Sequence, residues 1–114
     1  MHELSIVASL FEILEDKARE QSAIRVVLVK LKVGKLSGVV PEFLQTAFEL
    51  YRKDTIAAAS GLEIEVVPVK VKCRKCQAET STDDFVFVCP ACGSTDLEMV
   101  EGTELFLEKI DLEV

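Results

Sequence analysis

The chain contains four cysteines, arranged as two C-x-x-C pairs. In a C-x-x-C turn both sulfurs can reach one ion, so two such turns supply four thiolates in a tetrahedron, about 2.3 Å from a zinc ion. Twelve residues separate the pairs, and the second pair lies in CPACG, where Pro90 and Gly93 suit a tight turn. The spacing therefore predicts one metal site with the ligands Cys73, Cys76, Cys89 and Cys92.

Two other interpretations use the same four sulfurs. Two disulfides would suit an oxidising compartment, but Glu3 stands where a secretory signal would be basic, so we predict a cytoplasmic protein with reduced thiols. Rubredoxin-like iron takes identical ligands, and only Phe85 and Phe87 are near enough in sequence to form its aromatic surround. We expect structural Zn(II), because four thiolates leave no coordination position for substrate or water.

A second candidate site is the amino terminus, which reads Met-His-Glu and carries the single histidine of the chain, His2. The Met1 amine, the His2 amide nitrogen and the His2 Nδ1 can close a five-membered and a six-membered chelate ring around one ion. Three nitrogens in one plane suit Ni²⁺ or Cu²⁺, which accept square-planar geometry. The fourth donor stays open among the Glu3 amide, water, a carboxylate and a partner's ligand. The alternative is an ordinary chain end without metal.

Hydrophobic periodicity and turn residues predict the elements that position these groups. Pro41 suits the first turn of a helix, where its missing N–H has no partner to lose. We expect a helix over 4–19, a strand over 24–33, a turn over 34–38, a helix from Pro41 to a stop near Gly61, a strand over 62–72, a hairpin over 79–88 and a last strand over 104–113.

Alternation fixes which residues of each strand face the core. In the strand over 24–33, Lys30 and Lys32 lie opposite the apolar face, which consists of Val27, Val29, Leu31 and Val33. The strand over 62–72 changes parity near Pro68, and a proline inside a strand predicts a bulge or an edge position.

The order of elements predicts an α+β fold. A strand–helix–strand unit favours a parallel pair with a right-handed crossover. We expect two helices on a three-stranded mixed sheet, with an inserted zinc-ribbon module. The domain division is 1–71 plus 102–114 for the α+β body and 72–101 for the zinc-binding module. Metal binding would stabilise a module too small to fold on its own core.

Composition argues against several functions. The net charge is −7, and phosphate backbones repel an acidic chain, so we expect no nucleic-acid partner. No apolar run approaches the roughly 20 residues that span a bilayer, so we expect no membrane association. One histidine and no cysteine outside the C-x-x-C pairs leave little for nucleophilic or hydrolytic catalysis, so we predict that the protein is not an enzyme.

The sequence resembles the HypA/HybF family of hydrogenase nickel-incorporation proteins. The resemblance is carried by the opening MHELS, the stretch GKLSGVVPEFLQTAFE, the strand entry SGLEIE and the paired C-x-x-C turns before a final strand, and it extends over essentially the whole chain. A Met-His-Glu start combined with a four-cysteine module is specific to that family.

The resemblance implies a nickel metallochaperone. It implies that Ni(II), a transient cargo, is held by His2 and neighbouring main-chain nitrogens, that the four cysteines hold Zn(II), and that Glu3 tunes nickel or docks a GTPase. It implies delivery to the precursor of the [NiFe] hydrogenase large subunit, with the GTPase HypB as partner and urease as a second recipient in some relatives. A homodimer is a further expectation. The alternative function is a zinc-ribbon interaction or regulatory module without nickel cargo.

Overall fold

The computed structural model describes residues 2–82 and 88–114, without the side chains of His2 and Thr82. Six strands form two three-stranded sheets, one in the order β2-β1-β6 and the other in the order β4-β3-β5. The elements are α1 (His2–Glu20), β1 (Arg25–Gly34), α2 (Pro41–Tyr51), β2 (Gly61–Val67), β3 (Val69–Cys73), β4 (Glu79–Thr82), β5 (Leu97–Glu101) and β6 (Leu105–Glu113).

The first sheet is mixed, as the sequence predicts. β1 pairs in parallel with β2 through the α2 crossover and antiparallel with β6. Both helices contribute to one buried cluster with this sheet, and the rings of Phe11 in α1 and Phe48 in α2 lie 5.4 Å apart. The predicted α+β class, with two helices on a three-stranded mixed sheet, is confirmed.

The inner face of β1 differs from strict alternation at its start. Val26 is buried, whereas Val27, predicted to face the core, is 46% exposed. The pairing of β1 with β6 shifts register between Val26 and Leu28. A bulge inserts one residue and therefore reverses the alternation on one side of it. The prediction for Val27 is wrong for this reason, and the prediction is confirmed for Val29, Leu31 and Val33.

The opposite face of the first sheet carries a network of ion pairs. Lys30 and Lys32 of β1 each lie within 3.4–3.7 Å of Glu65 in β2 and Glu108 in β6. The negative charge of Glu108 is the main cause that raises the Lys30 pKa above its usual value. Because these groups are partly exposed, each pair stabilises the fold only slightly. Their positions confirm that the two lysines lie opposite the core face.

Pro68 separates two strands rather than marking a bulge within one. β2 ends at Val67 in the first sheet, and β3 begins at Val69 in the second. Proline has no N–H to continue a ladder, so the chain leaves the first sheet at this point. The prediction of one strand over 62–72 is therefore wrong. The second sheet begins at Val69, inside the part that the predicted domain division assigns to the α+β body.

The second sheet is antiparallel, with β3 between β4 and β5. β4 covers the start of the hairpin predicted over 79–88, and residues 83–87 of that hairpin lie outside the described residues. β3 ends at Cys73, so the central strand carries the first cysteine at its last position. The sheet therefore supports one of the two C-x-x-C turns directly.

The turn over 34–38 binds both segments that lead into the second sheet. The Lys35 N–H donates to the Val67 carbonyl at 2.9 Å, and the Leu36 N–H donates to the Gly102 carbonyl at 2.7 Å. A Cβ on Gly34 would overlap the same Gly102 carbonyl. Glycine at position 34 therefore permits the close approach that joins the two sheets.

Candidate metal centres

The two C-x-x-C turns share one backbone arrangement. In the first, the Cys73 N–H donates to the Ala78 carbonyl at 2.9 Å, and the Gln77 N–H donates back to the Cys73 carbonyl at 2.9 Å. In the second turn, the Cys89 N–H donates to the Ser94 carbonyl, and the Gly93 N–H donates back to the Cys89 carbonyl, both at 2.8 Å. Equivalent positions take the left-handed conformation, with φ of 68° at Gln77 and 73° at Gly93. Each turn therefore presents its sulfurs in the same way.

The four sulfurs converge on one point. All four lie within 4.8 Å of one another, and the Cys73–Cys92 and Cys76–Cys89 sulfur pairs are each 3.5 Å apart. A tetrahedron with metal–sulfur bonds of about 2.3 Å has edges of about 3.8 Å. The donor set and its dimensions fit a divalent ion that binds four thiolates.

Backbone amides favour the thiolate form at the first cysteine of each pair. The Cys76 N–H lies 3.5 Å from the Cys73 sulfur, and this hydrogen bond is the main cause that lowers the Cys73 pKa to about 6. The Cys92 amide lowers the Cys89 pKa in the same way. Both of these cysteines are buried, and the other two are exposed. The inner half of the cluster is thus already suited to binding a cation.

The second cysteine of each pair shows the opposite shift. The Ser94 amide lowers the pKa of Cys92, but the nearby sulfurs, Cys73 foremost, outweigh it and raise that pKa to about 12. The pKa of Cys76 is raised as well. Like charges a few ångströms apart cannot all form without a counter-charge. A bound dication supplies that charge, because a coordinated thiol is deprotonated.

An ion pair and a hydrogen bond connect the first cysteine turn to the segment that follows the second turn. The Arg74 N–H donates to the Asp96 carbonyl at 3.0 Å, and the Arg74 guanidinium contacts the Asp96 carboxylate at 3.0 Å. Both side chains are about half exposed, so the pair stabilises this link only modestly. The link holds the first turn against the segment that follows the second.

Two of the predicted nickel residues, His2 and Glu3, lie at the start of α1. Met1 is outside the described residues, and His2 begins the helix without a described side chain. Glu3 is 9% exposed, and its Oε2 accepts a hydrogen bond from the Val40 N–H at 3.4 Å. Spacing along the sequence does not predict this contact, because it joins residues 37 positions apart.

Comparison with known proteins places the chain among nickel metallochaperones. The family model described as "Hydrogenase/urease nickel incorporation, metallochaperone, hypA" matches residues 1–112. The chain belongs to the HypA family. The HypA resemblance stated from the sequence is confirmed, and the family is one of metallochaperones rather than of catalytic enzymes.

Individual HypA proteins agree with this assignment. The chain is 40% identical over 114 residues to "Hydrogenase maturation factor HypA" of Aquifex aeolicus (strain VF5), covering 100% of this chain and 99% of the relative. A solved structure named "Solution structure of HypA protein" matches with 25% identity and a TM-score of 0.74, over 98% of this chain and 96% of that one. The "Ni metallochaperone HypA from Helicobacter pylori" shares the fold, with 24% identity, a TM-score of 0.67 and 97% coverage of each chain.

Membership of HypA implies a role in hydrogenase maturation and nickel incorporation. The four-cysteine cluster predicted from the sequence is brought together in the structure, which supports metal binding without choosing the metal. Neither helix within residues 2–82 and 88–114 is long and apolar enough to cross a membrane.

Proposed function

We propose that this HypA protein binds Ni(II) at its amino terminus and delivers it to the precursor of a [NiFe] hydrogenase large subunit. The observation that carries the proposal is the division of the strong donors. All four cysteines converge at one cluster, and the single histidine belongs to another element, as the first residue of α1. A cluster filled by four thiolates is suited to a resident ion, so the cargo needs other ligands.

The proposed nickel donors are the Met1 amine, the amide nitrogen and Nδ1 of His2, and the main-chain nitrogen of Glu3. These are nitrogen donors that suit square-planar Ni(II). Amines and imidazoles as a class compete with protons for metal ions, so a site of this kind can release nickel reversibly. Reversibility is what a delivery protein requires.

The proposed resident ion is Zn(II), held by Cys73, Cys76, Cys89 and Cys92. Zn(II) has no redox chemistry, and tetrahedral thiolate coordination is its usual structural form. In this arrangement the ion folds the cysteine-rich module, which we assign to residues 72–101. The remainder, 1–71 with 102–114, forms the proposed nickel-binding domain.

The proposed partners follow from the family role. A hydrogenase maturation factor must act with the maturation machinery, and we assign the GTPase HypB and the large-subunit precursor as its partners. Delivery to urease and a homodimer are further parts of the proposal. The family model's own description, which includes both hydrogenase and urease, supports the two recipients.

Nickel titration of untagged, zinc-loaded protein tests the proposed cargo site. We expect His2→Ala to abolish measurable Ni(II) binding while zinc content and the circular dichroism spectrum remain those of the parent protein. A parent carrying one extra residue before Met1 should also lose binding, because the amine becomes an amide. Isothermal titration calorimetry measures both effects.

Glu12→Ala is a matched control on the exposed surface of α1, and it should bind nickel as the parent does. Full nickel affinity in the extended protein would remove the amine from the site. A folded, zinc-loaded parent that binds no Ni(II) would contradict the proposal of a nickel cargo and favour a zinc-ribbon interaction module instead.

A further inference from the structure

Glu3 differs from the other glutamates of α1 in its surroundings. Glu12, Glu15 and Glu20 are exposed, as is usual for charged residues on a surface helix. Glu3 is 9% exposed, and its Oε2 accepts the N–H of Val40 at 3.4 Å. A buried carboxylate needs a partner to offset its lost hydration. The backbone at the amino terminus of α2 supplies that partner.

The amino terminus of α2 lacks a cap of its own. Val40 occupies the N-cap position with an extended backbone (φ −92°, ψ 115°), and no side chain caps the helix from there. Pro41 follows and has no N–H to offer. The Val40 N–H is therefore the donor that Glu3 can reach, and a carboxylate beside a helix amino terminus is favourable because of the helix dipole.

The position of Val40 is itself fixed by its neighbours. The Phe43 and Leu44 N–H groups both donate to the Val40 carbonyl, at 3.1 and 3.0 Å. On the other side, the Val39 N–H donates to the Ser37 Oγ at 3.2 Å, within the segment that joins the two sheets. The amide that holds Glu3 thus belongs to a well-bonded part of the backbone.

We propose that Glu3 is a positioning residue that holds the first turn of α1 against the amino terminus of α2. This inference rests on the proposed nickel function. With its carboxylate bonded to Val40, Glu3 leaves its main-chain nitrogen for the cargo and keeps the adjacent His2 backbone in place. Donors that are already ordered lose less conformational entropy when a metal binds.

Nickel titrations of Glu3→Ala and Glu3→Gln, in untagged zinc-loaded protein, test the positioning role. Glu3→Ala should weaken Ni(II) binding about tenfold, since one ordered contact is lost. Glu3→Gln should weaken it less, because the amide oxygen can still accept from the Val40 N–H. At saturating nickel, the absorption spectrum of the bound ion should be the same in all three proteins.

A second variant separates positioning of the terminus from general stability. Val40→Ser in the Glu3→Ala background gives α2 a side-chain cap, so it should restore the midpoint of thermal unfolding. It should not restore nickel affinity, because the first turn of α1 still lacks its hydrogen bond to the Val40 N–H. Hydrogen exchange of the amides in the first turns of α1, measured without nickel, should be faster in both Glu3→Ala proteins than in the parent.

Three results would overturn the positioning role. One is unchanged nickel affinity and unchanged exchange in Glu3→Ala. Another is recovery of nickel affinity by Val40→Ser, which would show that Glu3 acts only through stability. The third is an altered spectrum at saturation, which would make the Glu3 carboxylate a ligand. Failure of the nickel site itself would appear separately as unaltered binding in His2→Ala, while the exchange measurement would still judge the Glu3–Val40 contact.

Discussion

In the four-cysteine cluster, backbone amides and neighbouring sulfurs together set the pKa of each thiol. At Cys73 an amide lowers the pKa to about 6, and at Cys92 the nearby sulfurs raise it to about 12. Both cysteines accept an amide hydrogen bond that lowers their pKa, so the contrast comes from the nearby sulfurs, which lower the pKa of Cys73 and raise that of Cys92. One ion that binds all four would remove the contrast, because each bound sulfur becomes a thiolate.

Replacing one sulfur should therefore release the metal and unfold the second sheet. We expect Cys73→Ala to lose most bound zinc, because three thiolates no longer close the tetrahedron. Amides of β3 and β5 should then exchange with solvent within the dead time, while the helices retain their circular dichroism signal. Metal analysis and hydrogen exchange measure the two effects.

Thr95→Ala is the matched control for this cysteine, because its exposed side chain lies in the same module. It should keep both zinc and the exchange pattern of the parent. Parent-level zinc in Cys73→Ala would contradict the assignment of that cysteine as a ligand.

The sequence predicts the residues of the cluster better than their surroundings. Paired C-x-x-C spacing is local, so the sequence alone identifies Cys73, Cys76, Cys89 and Cys92 as one group, and the fold brings them together. The contact of Glu3 with the Val40 N–H joins two helix ends 37 positions apart. Hydrophobic periodicity reports which face of a helix is buried, and it gives no information on such a tertiary hydrogen bond.

Among the elements, the join between the two sheets is set by close backbone contact. Gly34 ends β1 beside Gly102, which follows β5 with a φ of 125°. A side chain at Gly34 would meet the Gly102 carbonyl, and one at Gly102 would lie 3.0 Å from the Val69 Cα. Backbone atoms cannot move aside as a side-chain tip can, so the join tolerates no larger residue here.

Gly34→Ala should consequently destabilise the protein. We expect a loss of about 2–4 kcal/mol in the free energy of unfolding, because the added methyl forces the two segments apart. Urea denaturation of the zinc-loaded protein measures this loss.

Gly61→Ala is the matched control for the glycine at the join. Its added methyl would meet only the Leu28 Cδ1, at an ordinary distance of 3.4 Å. We expect a change within about 0.5 kcal/mol there. Equal stability of the Gly34→Ala protein and the parent would contradict the close join.

Prediction of the elements fails where a single residue changes the path of a strand. The order of helices and strands and the parallel pairing of β1 with β2 follow from periodicity and the strand–helix–strand rule. The bulge at Val27 and the change of sheet at Pro68 do not, since alternation alone cannot distinguish a bulge from a chain that leaves the sheet. Both errors concern pairing with distant strands. The predicted helix stop near Gly61 is also wrong, because α2 ends at Tyr51 and turns follow it, with Asp54 in the left-handed conformation at a φ of 59°.

In the whole molecule, the two predicted metal sites belong to different elements. The sulfur cluster lies at the end of β3 and in the turns of the second sheet, whereas His2 and Glu3, two residues of the proposed nickel site, begin α1. The turn over 34–38 is hydrogen-bonded to the segments that lead into the second sheet and continues to Val40, which contacts Glu3. The turn over 34–38 thus lies along the chain between the Glu3–Val40 contact and the backbone bonds to the segments that lead into the second sheet.

Nickel K-edge X-ray absorption of untagged, zinc-loaded protein with one equivalent of Ni(II) tests the central claim most directly. The claim predicts a nickel ion surrounded by nitrogen or oxygen donors, with the scattering pattern of an imidazole and no sulfur. The His2→Ala protein should lose that pattern. Sulfur scatterers around nickel, with no imidazole contribution, would contradict the account.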